Sequence, residues 1–298
     1  MKEGKEMKKS KHLGIIYIMC SAFCFSCMNL FVRLSGNLPS MQKSFFRNLI
    51  AFLFALAIIK KNKVPFRITK ESIVPLLIRS TAGTVGILCN FYAVDHLAIA
   101  DASMLNKLSP FFVVIFSYLV LKEKVTLYQG ICIGVAFAGS LFVVKPSADI
   151  FQNPAALFGV LGGLGAGLAY AFVRVASKKG VQGPVIVAFF SGFSCLAVLP
   201  MMLKDYTPMT MTQVGILLLA GLSAAGGQFS ITAAYSHAPA SEISIYDYTQ
   251  IIFSTLLGLI FLHELPDRYS FVGYTIIIGA SIVMFLKNRE RAKKGGAA

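Results

Sequence analysis

Asp247 and Gln250 stand inside an apolar run, 240–264, that reads ASEISIYDYTQIIFSTLLGLIFLHE. A run of about 20 residues is enough to cross a bilayer. An ionised side chain at the centre of a membrane helix costs about 2.5–3.5 kcal/mol on insertion scales, so such a residue normally faces protein or a water-filled path and marks a functional site. Measured from the span ends at about 1.5 Å per residue, Arg79, Lys107 and Gln228 fall in the same middle third of the bilayer, with Arg47 in the outer half. Asn29, Asn106, Tyr170 and Tyr246 add hydrogen-bonding groups, as do Asn90 and Tyr248. With Arg33 and Arg174 set aside as helix-end residues, three cations (Arg47, Arg79, Lys107) face one anion, Asp247. Lys107 and Asp247 can neutralise each other, which leaves a positive excess. The chemistry this suits is the binding of a carboxylate or phosphate. The plainer alternative is that Arg47 and Arg79 bind backbone carbonyls or snorkel toward water.

The chemistry of enzymes has no such footing. No nucleophile elbow, P-loop or HExxH motif is present, so neither acyl transfer nor direct ATP coupling is expected. The six cysteines (Cys20, Cys24, Cys27, Cys89, Cys132, Cys195) lie in apolar runs, form no CxxC pair and have no histidine at ligand spacing. They read as packing residues, and neither a metal nor a cofactor is expected.

The elements that must hold the polar set are membrane spans. Of the 298 residues, 56% are hydrophobic and 14% charged, and the charges cluster in short blocks between long apolar runs. Mean hydropathy is +0.71. The spans fall at about 13–34, 44–59, 72–94, 100–121, 127–145, 155–176, 184–203, 212–235, 241–262 and 270–286. Turn signals such as GNLPS (36–40), KKNKVPF (60–66) and KDYTP (204–208) separate them. The N-terminal MKEGKEMKKSKH with its following run resembles a signal peptide, but that run is of spanning length and more spans follow, so it reads as a retained first helix.

The net charge of +15 is a topology record. The tail 2–11, the 60–70 loop, Lys122, Lys124, Lys178, Lys179 and the tail 287–294 hold nineteen Lys and Arg, against Lys43, Lys145, Lys204 and Arg268 on the other side. By the positive-inside rule both termini are cytoplasmic, and the expected location is the plasma (inner) membrane. No basic groove-reading element appears, so nucleic acid is not an expected partner. The expected partners are the lipid bilayer, a small-molecule substrate and a coupling proton or ion, with the chain a monomer or weak dimer.

The chain also repeats itself. At an offset of 141, Asp101 meets Glu242, Ser103 meets Ser244, Asn106 meets Asp247 and Glu123 meets Glu264; Arg33 meets Arg174, Gly86 meets Gly227 and His96 meets His237. Spans 1–5 thus recur as spans 6–10. Five is odd, so the second copy enters from the opposite face, an inverted repeat common among secondary transporters. The expected units are a basic tail (1–12), a first five-helix repeat (13–145), an outer linker (146–153), a second repeat (154–286) and a basic tail (287–298). Two charge pairs follow the repeat: Arg33 with Asp101 as an outer gate and Arg174 with Glu242 as an inner one. The ordinary alternative is that acids favour helix N-termini and arginines snorkel. Glu123 and Glu264 each precede a helix and read as structural. His96 and His237 sit at turns and are expected to bond backbone. Pro110 is expected to break hydrogen bonding in mid-helix beside a cavity or protein. The glycine-rich stretches 159–171 and 221–229 let helices approach closely, as a mobile or a static interface.

The paired segments DASMLNKLSPFFVVIFSYLVLKEKVTLYQGICIGVAFAG (101–139) and SEISIYDYTQIIFSTLLGLIFLHELPDRYSFVGYTIIIGA (241–280), with Asn29, Arg47, Gly130 and Gly273, resemble the EamA-type branch of the drug/metabolite transporter superfamily over about residues 12–286. The resemblance implies an all-α integral membrane protein: ten transmembrane helices in two inverted five-helix repeats, with helices 5 and 10 peripheral to a central cavity. The second copy has Ile251 where Pro110 stands in the first, a departure from the family pattern. The resemblance implies a secondary transporter of a small polar metabolite, zwitterionic or anionic, working by alternating access. The YDYTQ form is similar to carriers of S-adenosylmethionine, and an amino-acid carrier of the same family is the companion alternative. A passive channel or a membrane-embedded enzyme are the alternatives of other classes. Arg79, Lys107, Asp247 and Gln250 are the first candidates for substrate contact. Asn29, Arg47, Asn106, Tyr170, Gln228 and Tyr246 come second.

Overall fold

The computed structural model describes residues 2–97, 99–146, 153–263 and 265–294. The helices run in the order α1 (Lys2–Leu34), α2 (Ser40–Lys61), α3 (Lys70–His96), α4 (Ile99–Asn106), α5 (Ser109–Leu121), α6 (Leu127–Val144), α7 (Ala155–Lys178), α8 (Gly183–Lys204), α9 (Met211–His237), α10 (Ala240–Ile243), a 3₁₀ turn (Ser244–Tyr248), α11 (Thr249–Leu262) and α12 (Arg268–Lys294). They supply ten segments long and apolar enough to cross a membrane. Helices suit lipid because each backbone amide finds its partner within the segment. Among the described residues there is no strand.

Local chemistry explains many of the boundaries. Thr126 with Gln129, and Thr210 with Gln213, form capping boxes that start α6 and α9. Asp267 does the same for α12, accepting from the Ser270 amide at 3.0 Å and hydroxyl at 2.9 Å. Lys122 and His263, equivalent at the 141-residue offset, both end their helices in the left-handed conformation, at φ 55° each. The basic N-terminal stretch continues α1 outward from the span that begins at His12.

Two spans depart from expectation. The fourth and ninth were expected as continuous helices; each is broken near its middle. Lys107 and Leu108 separate α4 from α5. Pro110 therefore sits in the first turn of α5, where the amide it lacks would have no helical partner anyway, and not within an unbroken helix. Its counterpart region has no proline, yet residues 244–248 tighten into a 3₁₀ turn between α10 and α11. The two interruptions meet: the Tyr248 hydroxyl donates to the Lys107 carbonyl at 3.0 Å.

The packing follows the repeat. The closest neighbours are α3 with α7, α1 with α9, α2 with α8, and α6 with α12. Spans 3 and 6 therefore pair as spans 8 and 1 do, which is what an approximate twofold axis in the membrane plane produces. Close approach needs glycine at these seams. A Cβ on Gly86 would lie 3.1 Å from the Gly162 carbonyl oxygen, and one on Gly165 would lie 2.7 Å from that of Ala82. The α6/α12 pair is tied at both ends, by Tyr128 to Asn288 and by Lys145 to Asp267. That Lys145 bond, then the Ser270 amide, hold the exposed Asp267 carboxyl down at about 2.

Candidate substrate cavity

A cavity of about 190 Å³ lies between the two repeats, and its lining reaches Val32 and Lys43 beside the 35–39 linker. It draws residues from both members of three of the four seams, α1 with α9, α2 with α8 and α3 with α7, so neither repeat alone could build it. Nine of the ten residues singled out for substrate contact line it: Asn29 from α1, Arg47 from α2, Arg79 from α3, Asn106 and Lys107 at the α4/α5 break, Tyr170 from α7, Gln228 from α9, Asp247 from the 3₁₀ turn and Gln250 from α11. Tyr246 is not among the lining residues. Adjacent residues of a helical turn point about 100–120° apart, so Tyr246 faces away from Asp247, and its hydroxyl reaches the Ser281 carbonyl, 3.5 Å away on α12.

The middle of the cavity is a cross-repeat knot. Lys107 Nζ donates to Gln250 Oε1 at 2.6 Å and stands 3.6 Å from Asp247 Oδ2. The side chains are 13% and 12% exposed, so the pair is largely withdrawn from bulk water and its charges interact strongly. Broken helices make this possible, because the interruptions bring the polar groups of spans 4 and 9 to the same depth.

Arg79 and Arg47 form the cationic wall. Arg79 is 2% exposed. Its Nη2 donates to Gln228 Oε1 at 3.1 Å, and its guanidinium lies 3.9 Å from the centre of the Phe190 ring. Arg47 Nη2 reaches Asn48 Oδ1 at 3.4 Å, and Asn48 is held in turn by Ser194 at 2.9 Å. The Nε of both arginines is buried without a hydrogen-bond partner, as are Ser44 Oγ and Asn90 Oδ1 on the same wall. Sequence reasoning missed Ser44 and Phe190. Ser44 could have been found, because it lies three residues before Arg47 and so shares its helix face. Phe190 sits in an apolar run with no distinguishing signal.

The other end of the bundle is closed. Arg174 pairs with Glu123 and donates from Nη1 to the Tyr235 carbonyl at 3.0 Å. Lys178 adds a second cation 3.5 Å from the same carboxylate. Below the cavity floor Tyr170 and Tyr235 stack at 5.4 Å, backed by the fully buried Val173, Ile231 and Ile243. The pairing expected of Arg174, with Glu242, is thus replaced by one with Glu123. Glu242 starts the short α10, whereas Glu123 follows the left-handed turn at Lys122 that directs it back across the bundle end. Arg33 ends α1 at the 35–39 linker end; the side chain of Asp101, its expected partner, lies outside the described residues, as do Glu264 and most of the 146–153 linker. His96 and His237 bond backbone as expected, through Nδ1 to the Tyr92 and Ala233 carbonyls at 2.8 Å each. Among the described residues no cluster of three or more His, Cys, Asp or Glu could hold a metal ion.

The chain matches the EamA-like transporter family twice, over residues 12–145 and 157–286. It is similar to the pseudopaline exporter CntI of Pseudomonas aeruginosa, 31% identical over 284 residues that cover 95% of this chain and 97% of that one. It is similar also to the S-adenosylmethionine uptake transporter of Rickettsia bellii, at 23% identity over 96% of this chain and 98% of the other. A solved crystal structure at 16% identity shares the fold, with a TM-score of 0.81 over 94% of this chain and 99% of its own.

Proposed function

The chain belongs to the EamA-like transporter family, and on that premise we propose that it moves a small polar metabolite, zwitterionic or anionic, across the plasma membrane by alternating access. It is a multi-pass membrane transporter. The observation that carries the finer reading is the cavity itself: a polar, mainly cationic chamber at mid-membrane whose lining reaches the 35–39 linker end, with a buried ion pair closing the opposite end of the bundle. A carrier needs one closed face at every moment, and a channel does not. The Lys and Arg distribution supports cytoplasmic termini; the 35–39 linker end, read as the open one, is then extracytoplasmic and the Glu123–Arg174 seal cytoplasmic. The five-helix repeats 13–145 and 154–286 would then be the bodies that rock about the cavity.

In this reading Arg79, Lys107, Asp247 and Gln250 contact cargo or set the field it meets, and Arg47, Asn29, Asn106, Tyr170 and Gln228 complete the wall. Tyr246 supports the site from behind through α12. Relatives are named for export and for uptake, so direction is set by the gradient or exchange partner that drives the carrier. An S-adenosylmethionine-like or amino-acid cargo is the second reading, favoured by the relative named for S-adenosylmethionine uptake. A thermal-shift screen of metabolites on purified protein tests the site, since a ligand that binds only the folded state raises its stability. The cargo should stabilise wild type, and Arg79→Ala or Asp247→Asn should abolish the shift. Stabilisation that survives both substitutions would place the binding site elsewhere.

A further inference from the structure

We infer that the cargo is dianionic at the pole it presents to Arg47 and Arg79, with two carboxylates or one phosphate monoester, an assignment that rests on the cavity being the transport site. The charges on the cavity wall lead to it. Lys107 and Asp247 stand 3.6 Å apart and balance each other. Arg79 meets the neutral Gln228 and the rings of Phe190 and Tyr170, and Arg47 meets the neutral Asn48. Among the described residues neither arginine has a carboxylate within ion-pair distance. Two cations, Arg79 buried and Arg47 partly buried, therefore lack a carboxylate partner, a costly state that an anion would relieve. A monoanion neutralises one guanidinium and leaves the other. A simple zwitterion brings no net charge and so leaves the positive excess in place.

The geometry of the free groups points the same way. Each guanidinium keeps a buried Nε–H with no acceptor. Nε with the neighbouring Nη is the edge that grips a carboxylate or phosphate through two parallel bonds. Phe190 covers one face of Arg79, which leaves the edges of the guanidinium for in-plane bonds to cargo. Ser44 Oγ, also without a partner, offers one more donor, and Asn90 Oδ1 offers an acceptor for an amine on the same molecule.

Matched probe pairs test this by thermal-shift titration of the purified full-length protein at constant ionic strength: glutamate against glutamine, succinate against its monoamide, phosphoserine against serine. In at least one pair the dianionic pole should bind about tenfold more tightly, equivalent to about 1.4 kcal/mol. Which pair responds distinguishes carboxylates from phosphate. Arg47→Gln or Arg79→Gln should reduce that preference to within twofold, and Arg47→Lys, which keeps the charge, should retain part of it even if the neutral variant fails to fold. Equal binding within each pair by wild type, or an undiminished preference in both Gln variants, would overturn the inference and leave the cavity as the transport site. If no probe of either charge stabilises wild type, the cavity reading falls together with the inference.

Discussion

Removing Arg174 should open the sealed end of the bundle. Arg174 and Glu123 have side chains only 11% and 9% exposed, so the pair is largely buried. Taking one partner from a buried ion pair costs about 3–5 kcal/mol, because the other charge is stranded. Lys178 tempers this: it remains 3.5 Å from Glu123 but is 51% exposed, so it offers a weaker, hydrated substitute. A loss of about 2 kcal/mol from the sealed state is therefore expected, a shift of about 30-fold toward the state open at that end. The assay is labelling of Asn29→Cys, a cavity-wall position, in a background with the six native cysteines replaced. A membrane-impermeant maleimide is applied from the side of the 62–69 loop. In the parent the rate should be close to background; with Arg174→Ala it should rise by about tenfold or more. Exchanging the pair, Arg174→Glu with Glu123→Arg, should restore protection. An unchanged labelling rate in a variant that melts like its parent would refute the assignment of this pair to the seal, as would failure of the exchange to restore it.

Two further outcomes follow from the packing and the loops. Gly165→Ala drives a Cβ to 2.7 Å from the Ala82 carbonyl oxygen and 2.8 Å from the Gly86 Cα. Both are backbone atoms that cannot step aside, so a cost of about 1–3 kcal/mol should appear as a lowered melting temperature. Gly134→Ala in α6 meets nothing within 4 Å and should be neutral or gain about 0.5–1 kcal/mol. Asp267, with its carboxyl held at about 2 by Lys145 and Ser270, contributes stability that is present above the unfolded carboxylate value near 4 and lost as pH falls toward 2. The melting-temperature difference between wild type and Asp267→Asn should thus be seen at pH 7 and shrink across that window; a difference independent of pH would mean that charge is not its origin.

Much of this protein is legible in its sequence because lipid imposes a simple code. Apolar run length locates the ten spans, and the constant 141-residue offset pairs them. Charged residues in apolar runs are expensive enough that their positions point at the cavity, and nine of the ten chosen residues line it. What the sequence hides is conformational. The break in span 9 falls in IYDY, which contains neither Gly nor Pro; only its hydrogen bonds to the opposite interruption and its burial against neighbouring helices favour a 3₁₀ turn there. The partner of Arg174 was misjudged for a related reason. The repeat suggests Glu242, the image of Asp101, whereas the pairing found depends on where the left-handed turn at Lys122 sends Glu123. Tyr246 was chosen for its hydroxyl alone; as the immediate neighbour of Asp247 it points to a different side of the turn, toward α12.

The central claim is that a cationic chamber carries cargo by exposure to one side at a time. Flux into proteoliposomes tests it most directly: uptake of a labelled mixture of amino acids and organic acids, with the same unlabelled mixture inside or absent. Alternating access predicts saturable uptake that is faster with the preload and is lost in Arg79→Ala. Uptake that does not saturate, or that proceeds at the same rate with and without preload, would contradict it.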